Sequence, residues 1–190
     1  MFNAQQVKGA PELEEEQLNF EPVERAEAVI QALKEKTGLL VRHGGAQAFY
    51  APSSDEVRLP DKSAFDTAFE YHSVILHEAA HSTLAAHRLN RREAIAQRWG
   101  DEAYAVEELR AQICSAILAA ETGVPMSQAH IVNHAAYLTG WLKAIKRDPM
   151  ALFTAAKDAE KMADYMLGLE KQAAAIAQHA EWVAEYDRQR

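Results

Sequence analysis

The first clear hydrophobic pattern lies between residues 23 and 36, where apolar side chains recur at every third or fourth position. This spacing is typical of one face of an α-helix, and the residues that show it are Val23, Ala26, Ile30 and Leu33. Pro22 suits the start of a helix, and Gly38 suits the left-handed position just after its end. The pattern therefore predicts a helix from Val23 to Lys36.

The pattern then changes to three short runs typical of β-strands, at residues 39–43, 47–51 and 56–59. Two turn sequences separate these runs. They are Gly44-Gly45 and the segment 52–55, which reads Pro-Ser-Ser-Asp. We predict a small three-stranded antiparallel sheet in which each strand pairs with the next one along the chain.

From Asp61 onward the helical period returns and continues to the end of the chain. Ser63 and Asp66 resemble a capping box, and the helix after them is predicted to run from about Glu70 to His87. The helices predicted beyond it are 101–123, 127–148, 150–167 and 168–190. We expect an α+β fold that is mostly helical. Its predicted parts are an irregular lead-in over 1–20, a main domain over 21–167 and a C-terminal helix over 168–190.

The composition indicates a globular domain with a core, since 48% of the 190 residues are hydrophobic and 25% are charged. The net charge of −8 argues against tight binding to nucleic acid, which requires an excess of Lys and Arg. The single cysteine, Cys114, excludes a disulfide framework and a zinc site built from cysteines. There is no apolar run long enough for a membrane span and no signal peptide pattern, so we expect a cytoplasmic protein.

The motif His77-Glu78-Ala79-Ala80-His81 has the pattern HExxH and lies on the predicted helix 70–87. Residues four apart on a helix are separated by about 400°, so both imidazoles lie on one face and can bind one zinc ion. Glu78 is rotated by about 100° from His77, close enough to take a proton from a zinc-bound water. Without such a partner, these polar residues among apolar neighbours would be costly. The motif predicts a zinc site with Glu78 as general base.

A third protein ligand is needed, and the next long helix offers Glu107 and Glu108. His87 is too far, because on a straight helix it lies about 9 Å along the axis from His81 and on another side. Glu108 shares its helix face with small residues that allow a second helix to approach closely, which are Ala111, Ser115 and Ala119. Glu107 lies about 100° away and is more readily a surface carboxylate. We favour Glu108 and keep Glu107 as the alternative ligand.

The chain resembles a known family in four ordered blocks: HEAAHST, RLNR, WGDEAYAVEELRAQICSAILAAETGV and NHAAYLTGWLKAIKRDPMALFTAAKDAEKMADYM. These blocks look like the zincin-like metallopeptidase domain of ArdC-type antirestriction proteins and of plasmid TraC-type primases. The segment before the motif, RHGGAQAFYAPSSDEVRLPDKSAF, is similar as well, and the resemblance extends from Phe2 to about Met166. HExxH alone is shared by many peptidases, whereas the ordered set of blocks is much more specific.

The resemblance implies a zincin-like fold with helices and a small sheet around a zinc ion. It implies that the ligands are His77, His81 and the Glu of the EEL block, which the related ligand pattern places at Glu108. The family usually has a carboxylate where this chain has Gln112, a candidate to orient a ligand from outside the metal's own shell. Larger members carry a separate single-stranded-DNA-binding domain. It is absent from these 190 residues, so we expect weak or no DNA binding by this chain.

Peptide hydrolysis also needs a donor that stabilises the oxyanion, and the candidates are Tyr104, His134 and Tyr137. The basic residues after the motif are interpreted as a solvated connection rather than a DNA contact; they are Arg88, Arg91, Arg92 and Arg98. We predict a zinc-dependent metallopeptidase whose peptide or protein substrate pairs with an edge strand. The alternative is a non-catalytic, zinc-stabilised module for protein or DNA contacts in an antirestriction or conjugation protein of a mobile element.

Overall fold

The computed structural model describes residues 23–91, 102–124, 145–146 and 148–188. The elements in these ranges are α1 (Glu24–Thr37), β1 (Leu40–His43), β2 (Phe49–Ala51), β3 (Glu56–Leu59), a short 3-10 helix (Lys62–Ala64), α2 (Ala68–Ser82), α3 (Glu102–Thr122) and α4 (Met150–Arg188). The predicted α+β class, mostly helical with one small sheet, is therefore confirmed. The predicted lead-in over 1–20 and most of the predicted helix 127–148 lie outside the described residues.

α1 forms where the first hydrophobic period predicts a helix. Its buried residues are those of the predicted face and its neighbours: Ala26, Val29, Ile30, Ala32 and Leu33. The helix ends because Gly38 adopts a left-handed conformation, with a φ of 76°, and donates its N–H to the carbonyl of Lys34.

The sheet is mixed rather than purely antiparallel: the predicted antiparallel pairing of β2 with β3 is confirmed, whereas the predicted pairing of β1 with β2 is wrong. The strand order is β1-β3-β2, in which β3 pairs antiparallel with β2 and parallel with β1. After β1 the chain crosses the end of β3, where the N–H of Gly44 donates to the carbonyl of Leu59 at 2.9 Å. Gly44 and Gly45 have φ values of 119° and 90°, which a residue with a side chain rarely adopts.

β3 takes the central position because it is the most buried of the three strands. Val57 and Leu59 are fully buried, whereas Leu40 of β1 and Phe49 of β2 are exposed. The hydrophobic pattern of the sequence locates each strand, but it carries little information about which neighbour a strand will pair with. The parallel pairing of β1 with β3 therefore could not be predicted from turn residues alone.

α2 begins at Ala68, and its N-terminal cap is Thr67 rather than the predicted pair of Ser63 and Asp66. The Thr67 hydroxyl accepts a hydrogen bond from the N–H of Glu70 at 3.2 Å. In return, the Glu70 carboxylate accepts from the N–H of Asp66 at 2.9 Å. This reciprocal arrangement resembles a capping box, shifted along the chain from the predicted one.

α2 ends at Ser82, earlier than the predicted end at His87. The hydroxyls of Ser82 and Thr83 donate to the carbonyls three residues before them, at 2.6 and 2.7 Å. Arg88 donates to the Ser82 carbonyl at 3.0 Å. These bonds occupy carbonyls that another helical turn would use, so the alanines that follow do not extend the helix.

α3 packs against α2, α4 and α1, and it is therefore buried on more than one side. The small residues of its predicted contact face are buried: Ala111, Ser115 and Ala119. Glu107 and Glu108 are buried as well, with 4% and 7% of their surfaces exposed. The prediction of Glu107 as a surface carboxylate is wrong, because neighbouring elements also cover the face of α3 on which Glu107 lies.

α4 is one continuous helix, so the predicted break at Gly168 is wrong. A glycine inside a helix costs only about 1 kcal/mol, and here the preceding residues Met166 and Leu167 are anchored in the core. The first half of α4 packs on α1 and α3, whereas most side chains beyond Glu170 are exposed.

Within the described ranges, none of the helices combines the length and the apolar character that crossing a membrane requires.

Candidate metal centre

His77 and His81 lie one turn apart on α2, and their Nε2 atoms are 3.2 Å from each other. The two rings are nearly perpendicular, with an interplanar angle of 88°. Their side chains are 19% and 12% exposed, so solvent still reaches this point. The HExxH spacing thus brings two ring nitrogens together on one side of the helix, as the helical period requires.

Glu108 brings a carboxylate from α3 to the same point. Its Oε2 is 3.4 Å from Nε2 of His77, and its Oε1 is 3.4 Å from Nε2 of His81. Small side chains on the same face of α3 allow this close approach between the two helices. In the part of the chain that the structure describes, these three residues are the group that could hold a metal ion, with ligand atoms within 4.8 Å of one another.

The spacing and the chemistry of this group both fit a divalent metal. In a tetrahedral site with metal–ligand distances of about 2.0–2.1 Å, neighbouring ligand atoms are about 3.3–3.4 Å apart. The two Nε2 atoms are 3.2 Å apart, and each lies 3.4 Å from a different oxygen of Glu108. Taken with one ligand atom from each residue, the group lies within 4.8 Å, close enough to surround one ion. Two imidazole nitrogens and one carboxylate are common ligands of zinc and of other first-row metals. Three protein ligands also leave one tetrahedral position available, which is typical of catalytic rather than structural sites.

Glu78 lies beside this group. Burial raises the pKa of its carboxyl above the ordinary value, and the nearby His77 and His81 offset this only in part. The backbone of Tyr50 acts in the same direction as the histidines. Because Tyr50 belongs to β2, an edge strand, the Glu78 carboxylate lies near this edge of the sheet.

Glu107, the alternative metal ligand predicted from the sequence, lies at the Nδ1 end of the His81 ring. It is therefore on the side away from the two Nε2 atoms. Its Oε1 is 3.4 Å from Nδ1 of His81, and Arg91 donates to both of its carboxylate oxygens at 2.7 and 3.1 Å. Burial raises the pKa of Glu107, but the bonds from His81 and Arg91 lower it below the ordinary value. Burial also lowers the pKa of His81, while Glu107 and Glu108 together raise it to about 10.

The other predicted site residues do not join the three-residue group. Tyr104 and Gln112 lie on α3, about one turn before and one turn after Glu108, and both are partly buried. His134 and Tyr137, the other candidates for the oxyanion donor, lie outside the described residues. No oxyanion donor is therefore assigned from these positions.

Two of the basic residues after α2, Arg88 and Arg91, have largely buried side chains, which corrects their interpretation as part of a solvated connection. The Arg88 side chain is 0% exposed and donates to both carboxylate oxygens of Asp55, at 2.6 and 2.8 Å. Arg91 is bound to Glu107. Sequence reasoning missed both pairs because their partners lie 33 and 16 residues away, with no local pattern to join them. Two basic residues of the same set lie outside the described residues: Arg92 and Arg98.

Comparison with protein families agrees with the geometry of this site. A family model described as a zincin-like metallopeptidase matches residues 24–158, a range that includes α2, α3 and every residue of the metal-binding group. A DNA primase TraC of Escherichia coli is 43% identical over 172 residues. That alignment covers 90% of this chain but only 15% of the primase, so the chain spans a small part of this relative's length.

The fold is similar to that of a solved antirestriction protein, ArdC from the R388 plasmid. Its metal-free crystal structure matches with a TM-score of 0.66 and 32% identity, over 90% of this chain and 60% of that one. Its Mn(II)-bound crystal structure matches with a TM-score of 0.64 and 33% identity, over 89% and 60% of the two chains. The chain thus spans less than two thirds of ArdC.

Proposed function

Because the chain belongs to the zincin-like metallopeptidase family, we propose that it is a zinc-dependent metallopeptidase. The observation that supports this proposal is the convergence of two Nε2 atoms, 3.2 Å apart, and one carboxylate whose oxygens lie 3.4 Å from them. We assign His77, His81 and Glu108 as the metal ligands and Glu78 as the general base. The same constellation is what HExxH peptidases use to hydrolyse a peptide bond.

Glu78 is suited to move the proton in this reaction. A divalent ion at the site would supply the charge that acidifies a water molecule and polarises the scissile carbonyl. A carboxylate oxygen of Glu78 accepts the proton of the attacking water and then delivers it to the departing amine. Burial supports this role because it raises the pKa of the Glu78 carboxyl above its ordinary value, which makes the carboxylate a stronger base.

The edge of β2 is the proposed place for the substrate. Among the described strands, none pairs with the outer side of β2, and an extended peptide can add to such an edge through its backbone. The backbone of Tyr50 lies close enough to Glu78 to lower its pKa, so a peptide along this edge would pass near the proposed general base. We therefore propose an extended peptide, or an unfolded segment of a protein, as the substrate.

We propose zinc as the metal. One ArdC crystal structure is Mn(II)-bound, so Mn²⁺ is the other candidate ion. A given set of nitrogen and oxygen ligands, however, binds Mn²⁺ least tightly in the first-row series and Zn²⁺ more tightly. We expect the purified chain to bind Zn²⁺ more tightly than Mn²⁺ in a competition titration.

The decisive experiment replaces the base without removing a ligand. We expect Glu78→Gln to keep one zinc per chain and to reduce hydrolysis by about 10²–10⁴-fold, because proton transfer is lost. Cleavage of a proteome-derived peptide library, read by mass spectrometry, supplies the assay without a known substrate. Glu108→Gln is the matched control, expected to lose both zinc and cleavage. Full activity in Glu78→Gln, or no cleavage by the zinc-loaded wild-type chain, would contradict the proposal.

The second candidate is a non-catalytic, metal-stabilised interaction module. It is favoured by the names of the relatives, a DNA primase and an antirestriction protein, which do not denote peptidases. Here the partner would be a protein or DNA, although the net charge of −8 disfavours direct DNA contact. This candidate predicts that Glu78→Gln leaves the partner's affinity unchanged, whereas Glu108→Gln weakens it through loss of the metal. Pull-down of plasmid and host proteins with both variants distinguishes the two candidates.

A further inference from the structure

A buried ion pair lies directly behind His81, on the side of the ring away from the proposed metal. Glu107 is 4% exposed, and its two oxygens are bound by the two terminal nitrogens of Arg91. One of these nitrogens also donates to the Thr83 hydroxyl at 2.8 Å, which fixes Arg91 to the end of α2. Arg110 lies at 3.7 Å from the same carboxylate. The pair is thus held by both helices that carry the metal-binding group.

The position of Glu107 determines what the His81 ring can do. An imidazole binds a metal through one nitrogen only while the other carries the proton. Oε1 of Glu107 faces Nδ1 of His81 at 3.4 Å, where it can accept a hydrogen bond from Nδ1–H. A proton kept on Nδ1 leaves the lone pair of Nε2 available, on the side where His77 and Glu108 lie.

His77 has no comparable support in the described part of the chain. Its Nδ1 is buried and has no hydrogen-bond partner among the residues that the structure describes. His81, in contrast, contacts a carboxylate at each of its two nitrogens. Among the described residues the two histidines of the motif are therefore unequal, because a carboxylate faces Nδ1 only in His81.

Arg91 compensates the negative charge of the buried Glu107 carboxylate. Glu78, Glu107 and Glu108 place three carboxylates in one region, and a buried carboxylate without a partner is strongly unfavourable. Two short charge-assisted bonds from Arg91 satisfy both oxygens of Glu107 and still leave Oε1 able to face His81. Arg91 thus allows the charged Glu107 to lie behind His81, the proposed metal ligand.

We propose that Glu107 is a positioning residue that orients His81 for metal binding, and that Arg91 holds it in place. This inference rests on the proposed metal site, but it does not depend on peptidase activity. It assigns a role to the carboxylate that sequence reasoning regarded as the alternative ligand. It also predicts that loss of Glu107 weakens the metal site without removing one of its ligands.

A zinc titration of the purified chain against a competing chelator tests the proposal. We expect Glu107→Gln to bind one zinc per chain with about 10–100-fold lower affinity, the usual effect of removing a partner behind a ligand. The matched control is Glu56→Gln, because Glu56 is equally buried and is also paired with arginines, but lies in the sheet. Its zinc affinity should stay within about two-fold of wild type. A loss below about five-fold in Glu107→Gln, or one as complete as in His81→Ala, would overturn the proposal.

A second measurement uses the unaltered, zinc-loaded chain, so it decides the proposal even if Glu107→Gln does not fold. In its NMR spectrum we expect His81 to carry a proton on Nδ1, shifted downfield by the hydrogen bond to Glu107 and slow to exchange with water. A His81 ring that carries its proton on Nε2, or an Nδ1–H without the downfield shift, would contradict a role for Glu107. If the wild-type chain binds no zinc at all, the proposed metal site itself fails. Absent cleavage with normal zinc binding would instead affect only the peptidase proposal.

Discussion

Glu107 and Glu108 are neighbours in the chain, yet they contact opposite ends of one imidazole. Glu108 approaches Nε2 of His81 and Glu107 approaches Nδ1, both at 3.4 Å. Two successive residues on a helix differ by about 100° in direction, so one ring can fit between them when it inserts from a neighbouring helix. This arrangement requires both carboxylates to be buried, and α3 permits it because other elements cover it on several sides.

Glu27 provides a test of electrostatics at a single residue away from the metal centre. Its carboxylate contacts the buried His72 at 3.5 Å and Lys62 at 2.9 Å. The contact with His72, together with Lys62, lowers the pKa of Glu27 to about 2 although burial opposes this. A carboxyl whose pKa is lower in the folded state stabilises the fold above its unfolded pKa of about 4.5, and this is lost as pH falls toward 2.

We therefore predict that Glu27→Gln lowers the free energy of unfolding by about 1 kcal/mol at neutral pH, since the site is partly exposed. The difference from wild type should shrink as the pH falls from about 4.5 to about 2. Urea unfolding at a series of pH values measures it. Glu24→Gln, an exposed change on the same helix, serves as control and should have little effect at any pH. A difference that is independent of pH would argue against the assigned cause.

The residues of the candidate site differ in how far the sequence could predict them. His77, Glu78 and His81 follow from the spacing of one motif on one helix, which is local information. Glu108 required an argument about small residues on its helix face, and the structure brings it to the two Nε2 atoms. The contact of Glu107 with Nδ1 could not be predicted, because it depends on where Arg91 lies after α2 has ended.

Arg88 joins three elements at one point and provides a test at the level of secondary structure. It donates to the Thr37 hydroxyl at the end of α1 at 2.9 Å, and to Asp55 in the turn between β2 and β3. It also donates to the Ser82 carbonyl at the end of α2. Since Tyr50 of β2 bonds to the same Asp55 at 2.9 Å, this cluster connects the proposed substrate strand to the metal-binding helix.

We predict that Arg88→Met lowers the free energy of unfolding by about 2 kcal/mol, because it removes the hydrogen bonds that a fully buried guanidinium makes to Asp55, Thr37 and the Ser82 carbonyl. Urea unfolding followed by circular dichroism measures this loss. Arg58→Met is the comparison: Arg58 also pairs with a carboxylate, but its side chain is 54% exposed, so the expected loss is below about 1 kcal/mol. Similar losses in the two variants would mean that the Arg88 cluster adds nothing beyond a surface ion pair.

The same cluster explains which features of the elements could be predicted. Helical period and end signals located α1 and α3 to within a residue or two, because these signals are local. The end of α2 could not be predicted, since Arg88 and Asp55 set it through contacts between distant parts of the chain. The strand positions followed from turn residues, whereas the strand order depends on which strand the core buries most.

Across the whole molecule, the proposed metal site lies where α2 and α3 meet. α3 also packs on α4, whose buried first half contributes Met162 and Met166 to the same core as α1. A metal bound by His77 and His81 on one helix and by Glu108 on the other would therefore connect the sheet side of the domain to its helical side. Its effect on stability should extend to the entire described fold and should not be confined to one turn.

We predict that zinc raises the thermal unfolding midpoint of the whole domain and that a chelator reverses this shift. Binding only to the folded state stabilises it by about 2.7 kcal/mol when free zinc is at 100 times its dissociation constant. Differential scanning calorimetry with and without zinc measures the effect. His81→Ala should remove the zinc-dependent shift, because it removes one of three ligands, and Glu78→Gln should retain it. A shift of equal size in His81→Ala would mean that the stabilising zinc binds elsewhere and that α2 and α3 are not connected through this site.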